Sequence, residues 1–177
     1  NERIAVYLNT FINKTAIIGI RGTDLLDPDD IRADMGIIQG DLKNNTKLMR
    51  IVNNTIGVIN QLISDGYEPD NITITGFSLG GDVALYCGAT FTTSRIITFN
   101  AGSSPLQDEV IFRNPLATNY IVRGDVISQN IEQVSPHNTE VLNIPVGSTL
   151  EAHKLSTILT HIYSDYENQK RERGRYK

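Results

Sequence analysis

The stretch Gly76-Phe-Ser-Leu-Gly80 combines the residue types that a serine nucleophile needs. An apolar, strand-like run at 72–75 precedes it, and a helix-like run at 83–89 follows it. A serine on a sharp strand-to-helix turn is held in a strained backbone conformation, and the flanking glycines remove side chains that would collide there. The pattern therefore indicates Ser78 as a nucleophile in acyl transfer, with the Leu79 N–H as an oxyanion donor.

The five-residue pattern on its own also occurs in ordinary strand-to-helix turns that carry an incidental serine. That interpretation leaves Gly80-Gly81 unexplained, because two glycines at a helix start are costly. We therefore favour a turn that presents a nucleophile.

A serine nucleophile needs a base, and the base needs a carboxylate that orients it. Where a serine sits on such a turn, the acid and then the histidine follow it along the chain. Asp125 fits the acid, because it closes a strand-like run at 119–123, although a Gly-Asp turn would look the same. The chain has three histidines. We expect His153 to be the base, since it follows the last predicted strand; His137 and then His161 are the alternatives.

Thr23 follows a second strand-like run, 15–20, in the sequence Arg21-Gly-Thr-Asp24. Threonine in such a place commonly caps a turn. Beside a nucleophile turn, we expect it to be the second oxyanion donor. The acidic segment 24–39 that follows is predicted to be a turn and a short helix or flap. It lacks the spaced ligands of a calcium loop, so we expect a solvated face and no metal.

The bulk composition indicates one globular domain, residues 1–177, with 40% apolar and 20% charged residues. A net charge of −4 does not suggest nucleic-acid binding, and no apolar run approaches a transmembrane length. The single cysteine, Cys87, lies in an apolar run and is predicted to be a buried core thiol. The basic end of the chain, 170–177, would attract anionic headgroups, but a frayed, solvated terminus is the favoured interpretation.

The hydrophobic pattern also predicts the remaining elements. Strands are expected at 3–8, 15–20, 72–75, 95–99, 119–123 and 140–144, the first two as an antiparallel hairpin. The clearest helix spans 44–65, and others are expected at 83–89, at 107–115 and from His153 onward. The helix between the second and third strands makes a β-α-β crossover, so parallel pairing is expected there.

Together these motifs resemble the class 3 (fungal-type) lipases of the α/β-hydrolase fold. The matching stretches are 17–24, 31–35, 74–81, 97–100 and 124–127, in the order of that family. The resemblance implies Ser78 as nucleophile, Asp125 as acid, His153 as base, and Thr23 with the Leu79 N–H as the oxyanion hole. It implies an α/β fold: a central, mostly parallel sheet with an antiparallel N-terminal hairpin and helices on both faces.

By the same resemblance the substrates are acylglycerols or related lipid esters, no cofactor is needed, and a lipid surface is a candidate partner. The chain departs from the family in having Asn100-Ala-Gly102 where a glycine-x-proline motif is usual, and in a short acidic segment where the lid is expected. A carboxylesterase, thioesterase or phospholipase with a short lid is therefore an alternative. A hydrolase-like domain that binds without catalysis is a second one.

Overall fold

The computed structural model describes residues 3–11, 13–22, 46–102, 114–134 and 138–174. Six strands form one sheet. They are β1 (Ile4–Asn9), β2 (Thr15–Ile20), β3 (Ile72–Phe77), β4 (Arg95–Phe99), β5 (Ala117–Val122) and β6 (Thr139–Leu142). The helices are α1 (Thr46–Ser64), α2 (Leu79–Thr90), α3 (Ile131–Val134), α4 (Thr149–Ala152) and α5 (Leu155–Gly174), with a 3₁₀ turn at Pro69–Asn71.

The strands lie in the sheet in their order along the chain. β1 pairs with β2 antiparallel, Ile4 opposite Ile20, as the short connection predicts. Every later neighbour pair is parallel, for example Ile18 opposite Ile74 and Ile74 opposite Ile96. The sheet is therefore mostly parallel with an antiparallel N-terminal hairpin, as predicted. Parallel strands end at the same edge of the sheet, so the residues that follow β3, β4, β5 and β6 are neighbours there.

One face of the sheet is covered by α1 and α2. Ile18, Ile74 and Ile96 point into this main core and are fully buried. Helix α1 contributes Leu48, Val52 and Ile59, and its spacing of apolar residues is the one expected of a helix packed on one side. Gly66, with φ of 84°, ends the helix, and its N–H donates to the carbonyl of Ile63.

The opposite face carries a smaller core, formed by Val122, Leu142, Ala152 and Ile158. Phe99 and Tyr120 pack against it from the sheet, with their rings stacked at 5.6 Å. Helices therefore lie on both faces, as predicted. The prediction of a frayed terminus at 170–177 is wrong for 170–174, where α5 continues to Gly174, and 175–177 lie outside the described residues.

Several element boundaries differ from the sequence prediction. β5 spans Ala117–Val122, not 119–123, and β6 spans Thr139–Leu142, not 140–144. α2 begins at Leu79, before the predicted start at 83, so Gly80 lies inside it. Glycine has a low helix propensity, but Gly80 is required there because a side chain would overlap the carbonyl of Ile20. The helix predicted at 107–115 falls largely outside the described residues, as does the segment 24–39.

Cys87 lies on α2 and is fully buried, as predicted. Burial raises the pKa of its thiol from 9.0 to about 12.

Since the thiolate is the reactive form, we expect no alkylation of the folded protein by iodoacetamide at pH 8 and full alkylation after unfolding in urea. The unfolded chain releases this proton near pH 9 and the folded chain does not. The free energy of unfolding should then fall by roughly 1.4 kcal/mol per pH unit between pH 9 and about 12. Rapid labelling without denaturant would contradict this assignment.

Candidate active site

Ser78 occupies the turn between β3 and α2. Its backbone has φ of 53° and ψ of −128°, a conformation that costs a non-glycine residue about 1–3 kcal/mol. The turn is fixed by hydrogen bonds: the Ser78 N–H donates to the Phe99 carbonyl at 3.0 Å, and the Ser78 carbonyl accepts from the Gly81 N–H at 2.8 Å. The strained serine predicted from the sequence is therefore present.

The two glycines that flank the turn have a steric role. A Cβ on Gly76 would overlap the carbonyl of Gly80, and a Cβ on Gly80 would overlap the carbonyl of Ile20. Gly22, at the end of the described N-terminal segment, is equally close: its Cβ would lie 2.5 Å from the Phe77 carbonyl oxygen. The strand β3, the helix α2 and the chain after β2 therefore meet around Ser78 with no room for side chains between them.

Helix α4, a single turn after β6, places His153 beside Ser78. Ser148 caps this turn by accepting from the Glu151 N–H, and Glu151 accepts from the Gly147 N–H. His153 is the C-cap of α4, and α5 begins only at Leu155, so it does not start the last helix as predicted. Its Nε2 lies 2.9 Å from Ser78 Oγ. The ring also packs on Phe77, with centroids 5.2 Å apart.

Asp125 lies in the turn that follows β5, where its N–H donates to the Val122 carbonyl at 3.1 Å. Its carboxylate is fully buried, and both oxygens are 2.9 Å from Nδ1 of His153. The carboxylate also accepts from the Ile127 N–H at 3.0 Å and from the Ser128 hydroxyl at 2.7 Å. These donors offset the cost of burying the charge and fix the direction of the carboxylate.

The two partners of the imidazole, a carboxylate at Nδ1 and a hydroxyl at Nε2, favour one tautomer of His153. An ionised carboxylate only accepts, so Nδ1–H of His153 donates to Asp125. Nε2 is then free of a proton and accepts from the Ser78 hydroxyl. This is the arrangement in which an imidazole can take a proton from a serine and give it to a leaving group.

Of the other predicted site residues, the structure describes Leu79 and His161. Leu79 is the first residue of α2, so its N–H has no acceptor within the helix, and it lies directly after Ser78. His161, on α5, is 3.4 Å from Asp165 and takes no part in the hydrogen bonds around Ser78. Thr23 and His137 lie outside the described residues.

A cavity of about 520 Å³ adjoins the Ser78–His153 pair. Its described lining is largely apolar and includes Phe77, Val126, Ile127, Leu150 and Leu155. This volume is in the ordinary range for small-molecule sites. Ser78 itself is 0% exposed, whereas the His153 side chain is 18% exposed. Ser78 and His153 both line this cavity.

The sequence profile of the Phospholipase/Carboxylesterase family matches residues 34–122. This match spans half of the chain and includes β3, the Ser78 turn and α2. The chain belongs to this family. The match supports an α/β-hydrolase that acts on ester substrates, and it does not single out class 3 lipases. No curated protein matches the chain significantly.

The match ends at 122, so it covers neither Asp125 nor His153. Their place in the candidate site depends on the geometry alone. Within the described parts of the chain there is no cluster of three or more His, Cys, Asp or Glu residues that would hold a metal ion. None of the helices described is both long and apolar enough to cross a bilayer.

Sequence reasoning missed two kinds of contact at this site. Ser128, which holds Asp125, gave no signal beyond being a polar residue three positions along. The pair Ser148 and Glu151 does have the spacing of a capping box, which could have placed a helix start just before His153.

Proposed function

We propose that the protein is a serine hydrolase that cleaves carboxylic esters, with Ser78 as nucleophile, His153 as general base and Asp125 as the orienting acid. The observation that carries this proposal is the continuous hydrogen-bonded chain from Ser78 Oγ through both ring nitrogens of His153 to the buried carboxylate, each step 2.9 Å long. Membership of an ester hydrolase family supports it.

The reaction follows from this geometry in two halves. Ser78 Oγ attacks the ester carbonyl while Nε2 of His153 takes the hydroxyl proton, and the buried carboxylate of Asp125 stabilises the imidazolium. The imidazolium then protonates the leaving alcohol, and an acyl group remains on Ser78. Water attacks this acyl-enzyme with His153 again acting as base, which releases the acid and restores the serine.

The oxyanion of the tetrahedral intermediate needs donors that are already in place. The Leu79 N–H is proposed as the first donor, because it is at the N-terminus of α2, where unpaired N–H groups and the helix dipole favour negative charge. Thr23 is proposed as the second. Gly22, the residue before it, would place a Cβ only 3.2 Å from Ser78 Cβ, which supports this assignment.

The substrate class is proposed to be lipid-like, as in the lipase resemblance, because the cavity beside Ser78 has a largely apolar lining. Carboxylesterase and phospholipase activity, which the family description names, remain alternatives, and so does thioesterase activity. We also propose that residues 1–177 form one hydrolase domain, since β1 and β6, more than 120 positions apart in the sequence, belong to one sheet. The proposed reaction uses no cofactor. Contact of the basic stretch 170–177 with a lipid surface is proposed as a further interaction of this domain.

The test of the substrate class is a panel of p-nitrophenyl esters from acetate to laurate, with thioester and phospholipid substrates measured in parallel. Leu150→Trp adds bulk to a leucine that lines the cavity and is 60% exposed. We expect this variant to lower kcat/KM for the laurate ester by about 10-fold relative to the butyrate ester, because the long acyl chain loses its space.

The matched control is Leu116→Trp, where the leucine is similarly exposed (46%) but lies just before β5, outside the cavity lining. It should leave the chain-length profile unchanged. Equal profiles for the wild type and Leu150→Trp would contradict the assignment of the cavity to the acyl group. Preference of the wild type for a thioester or phospholipid would select the corresponding alternative.

A further inference from the structure

Asn100 follows β4 and is unusual in both backbone and side chain. It has φ of 44°, in the left-handed region, and is fully buried. Its side chain makes two hydrogen bonds: Oδ1 accepts from the Val122 N–H, and Nδ2 donates to the Ala152 carbonyl, both at 2.8 Å. Its own N–H donates to the Tyr120 carbonyl, also at 2.8 Å. A single amide therefore joins three segments of the chain.

The two segments held by this side chain carry the proposed acid and base. Val122 ends β5, and its carbonyl accepts from the Asp125 N–H at 3.1 Å, so its position sets the turn that presents the carboxylate. Ala152 is the residue directly before His153. The residue before Asn100, Phe99, accepts from the Ser78 N–H. Asn100 and its neighbour Phe99 therefore contact all three proposed catalytic segments. Phe99 contacts Ser78 itself, and the Asn100 side chain contacts the end of β5 before Asp125 and the residue before His153.

A left-handed conformation alone does not explain the choice of asparagine. Glycine would adopt that φ more readily and would occupy less of the core. What asparagine adds is one acceptor and one donor on a planar group, which fixes the distance between the β5 end and the α4 end. A small error in that distance would be costly, because misplacing a catalytic group by 1 Å can cost about 10²-fold in rate.

We propose that Asn100 is a positioning residue that holds the Asp125 turn and the His153 segment at the separation their hydrogen bond requires. This inference rests on the proposed function. Asn100 touches neither the substrate nor the reacting atoms, and it acts through the peptide units of Val122 and Ala152.

The test is Asn100→Gly, which keeps the backbone conformation accessible and removes the side chain. We expect kcat for p-nitrophenyl butyrate to fall by about 10²-fold while KM changes by less than about threefold, because binding contacts are intact and alignment is lost. The rate of inactivation by a fluorophosphonate should fall in parallel, since it requires the same attack by Ser78.

Asn114→Gly is the matched control. Asn114 is also buried, and its side chain also joins two backbone segments: it donates to the Gly88 carbonyl at 3.0 Å and accepts from the Leu116 N–H at 2.8 Å. It lies before β5, at the opposite edge of the sheet from Ser78. We expect a comparable loss of thermal stability with kcat within about threefold of the wild type. Equal losses of activity in both variants, following their losses of stability, would overturn the positioning role.

Two further measurements keep the inference testable if a variant or the activity fails. If Asn100→Gly does not fold, Asn100→Asp keeps the acceptor for the Val122 N–H and puts an oxygen against the Ala152 carbonyl. It should also lower kcat without raising KM.

If the wild type hydrolyses no ester, the proposed function fails, but the NMR signal of the Nδ1 proton of His153 still reports its hydrogen bond to Asp125. That signal should shift or exchange faster in Asn100→Gly and stay in Asn114→Gly. An unchanged signal in both variants would overturn the inference.

Discussion

Replacement of Ser78 by alanine is expected to lower kcat for p-nitrophenyl butyrate by at least about 10⁴-fold. The substitution removes only the hydroxyl that donates to His153 Nε2 at 2.9 Å. Alanine has the same Cβ as serine, so the strained backbone at φ of 53° is neither relieved nor made worse. The expected loss is therefore chemical. Circular dichroism and the melting temperature should be close to those of the wild type.

Ser94→Ala is the matched control for this prediction. Ser94 is also fully buried, and its hydroxyl donates to the Pro69 carbonyl at 2.8 Å, in the turn before β3. Loss of that bond should cost stability of about 1 kcal/mol and leave kcat unchanged within about twofold. A Ser78→Ala protein that kept a tenth or more of the wild-type kcat would rule out Ser78 as the nucleophile.

Replacement of Asp125 by asparagine is expected to lower kcat by about 10³- to 10⁴-fold with little change in KM. Both carboxylate oxygens lie 2.9 Å from His153 Nδ1, so the new amide nitrogen opposes the Nδ1–H whichever way it is turned. The Ser128 hydroxyl can reverse and accept from that amide, but the negative charge that stabilises the imidazolium is lost. A neutral partner also favours the tautomer with the proton on Nε2, which cannot accept from Ser78.

Ser128→Ala separates the charge of Asp125 from its hydrogen-bonded surroundings. This variant removes the 2.7 Å bond to Oδ2 and keeps both the Ile127 N–H bond and the contact with His153. We expect kcat to fall by less than about 10-fold, since one of several donors to a buried carboxylate is lost. If Asp125→Asn were no worse than Ser128→Ala, the carboxylate would have a structural role and not the proposed one.

The position of Ser78 could be predicted because local sterics leave few alternatives. Glycines on both sides of a serine, directly after a strand, indicate a place where backbone segments are in contact. The close approaches at Gly76 and Gly80 show this crowding. Asp125 and His153 could be placed from topology. Each follows a parallel strand of the same sheet, and such strands end at one edge.

The contacts of Asn100 could not be predicted, because they join residues 22 and 52 positions apart in sequence. No local pattern distinguishes an asparagine that ends a strand from one that bridges two loops. The ends of β5 and β6 also differ from the local pattern. β5 begins at Ala117 because pairing with Ile96 on β4 extends it, and a neighbour in the sheet is not visible in the local sequence.

The central claim is that His153 activates Ser78 for attack on an acyl carbon, and fluorophosphonate labelling followed by intact mass and peptide mapping tests it most directly. We predict one adduct per chain, on Ser78, formed quickly in the wild type and at least about 10³-fold more slowly in His153→Ala. His161→Ala should label at the wild-type rate. No adduct in a folded wild type, or an adduct on another residue, would contradict the hydrolase assignment and favour a domain that binds without catalysis.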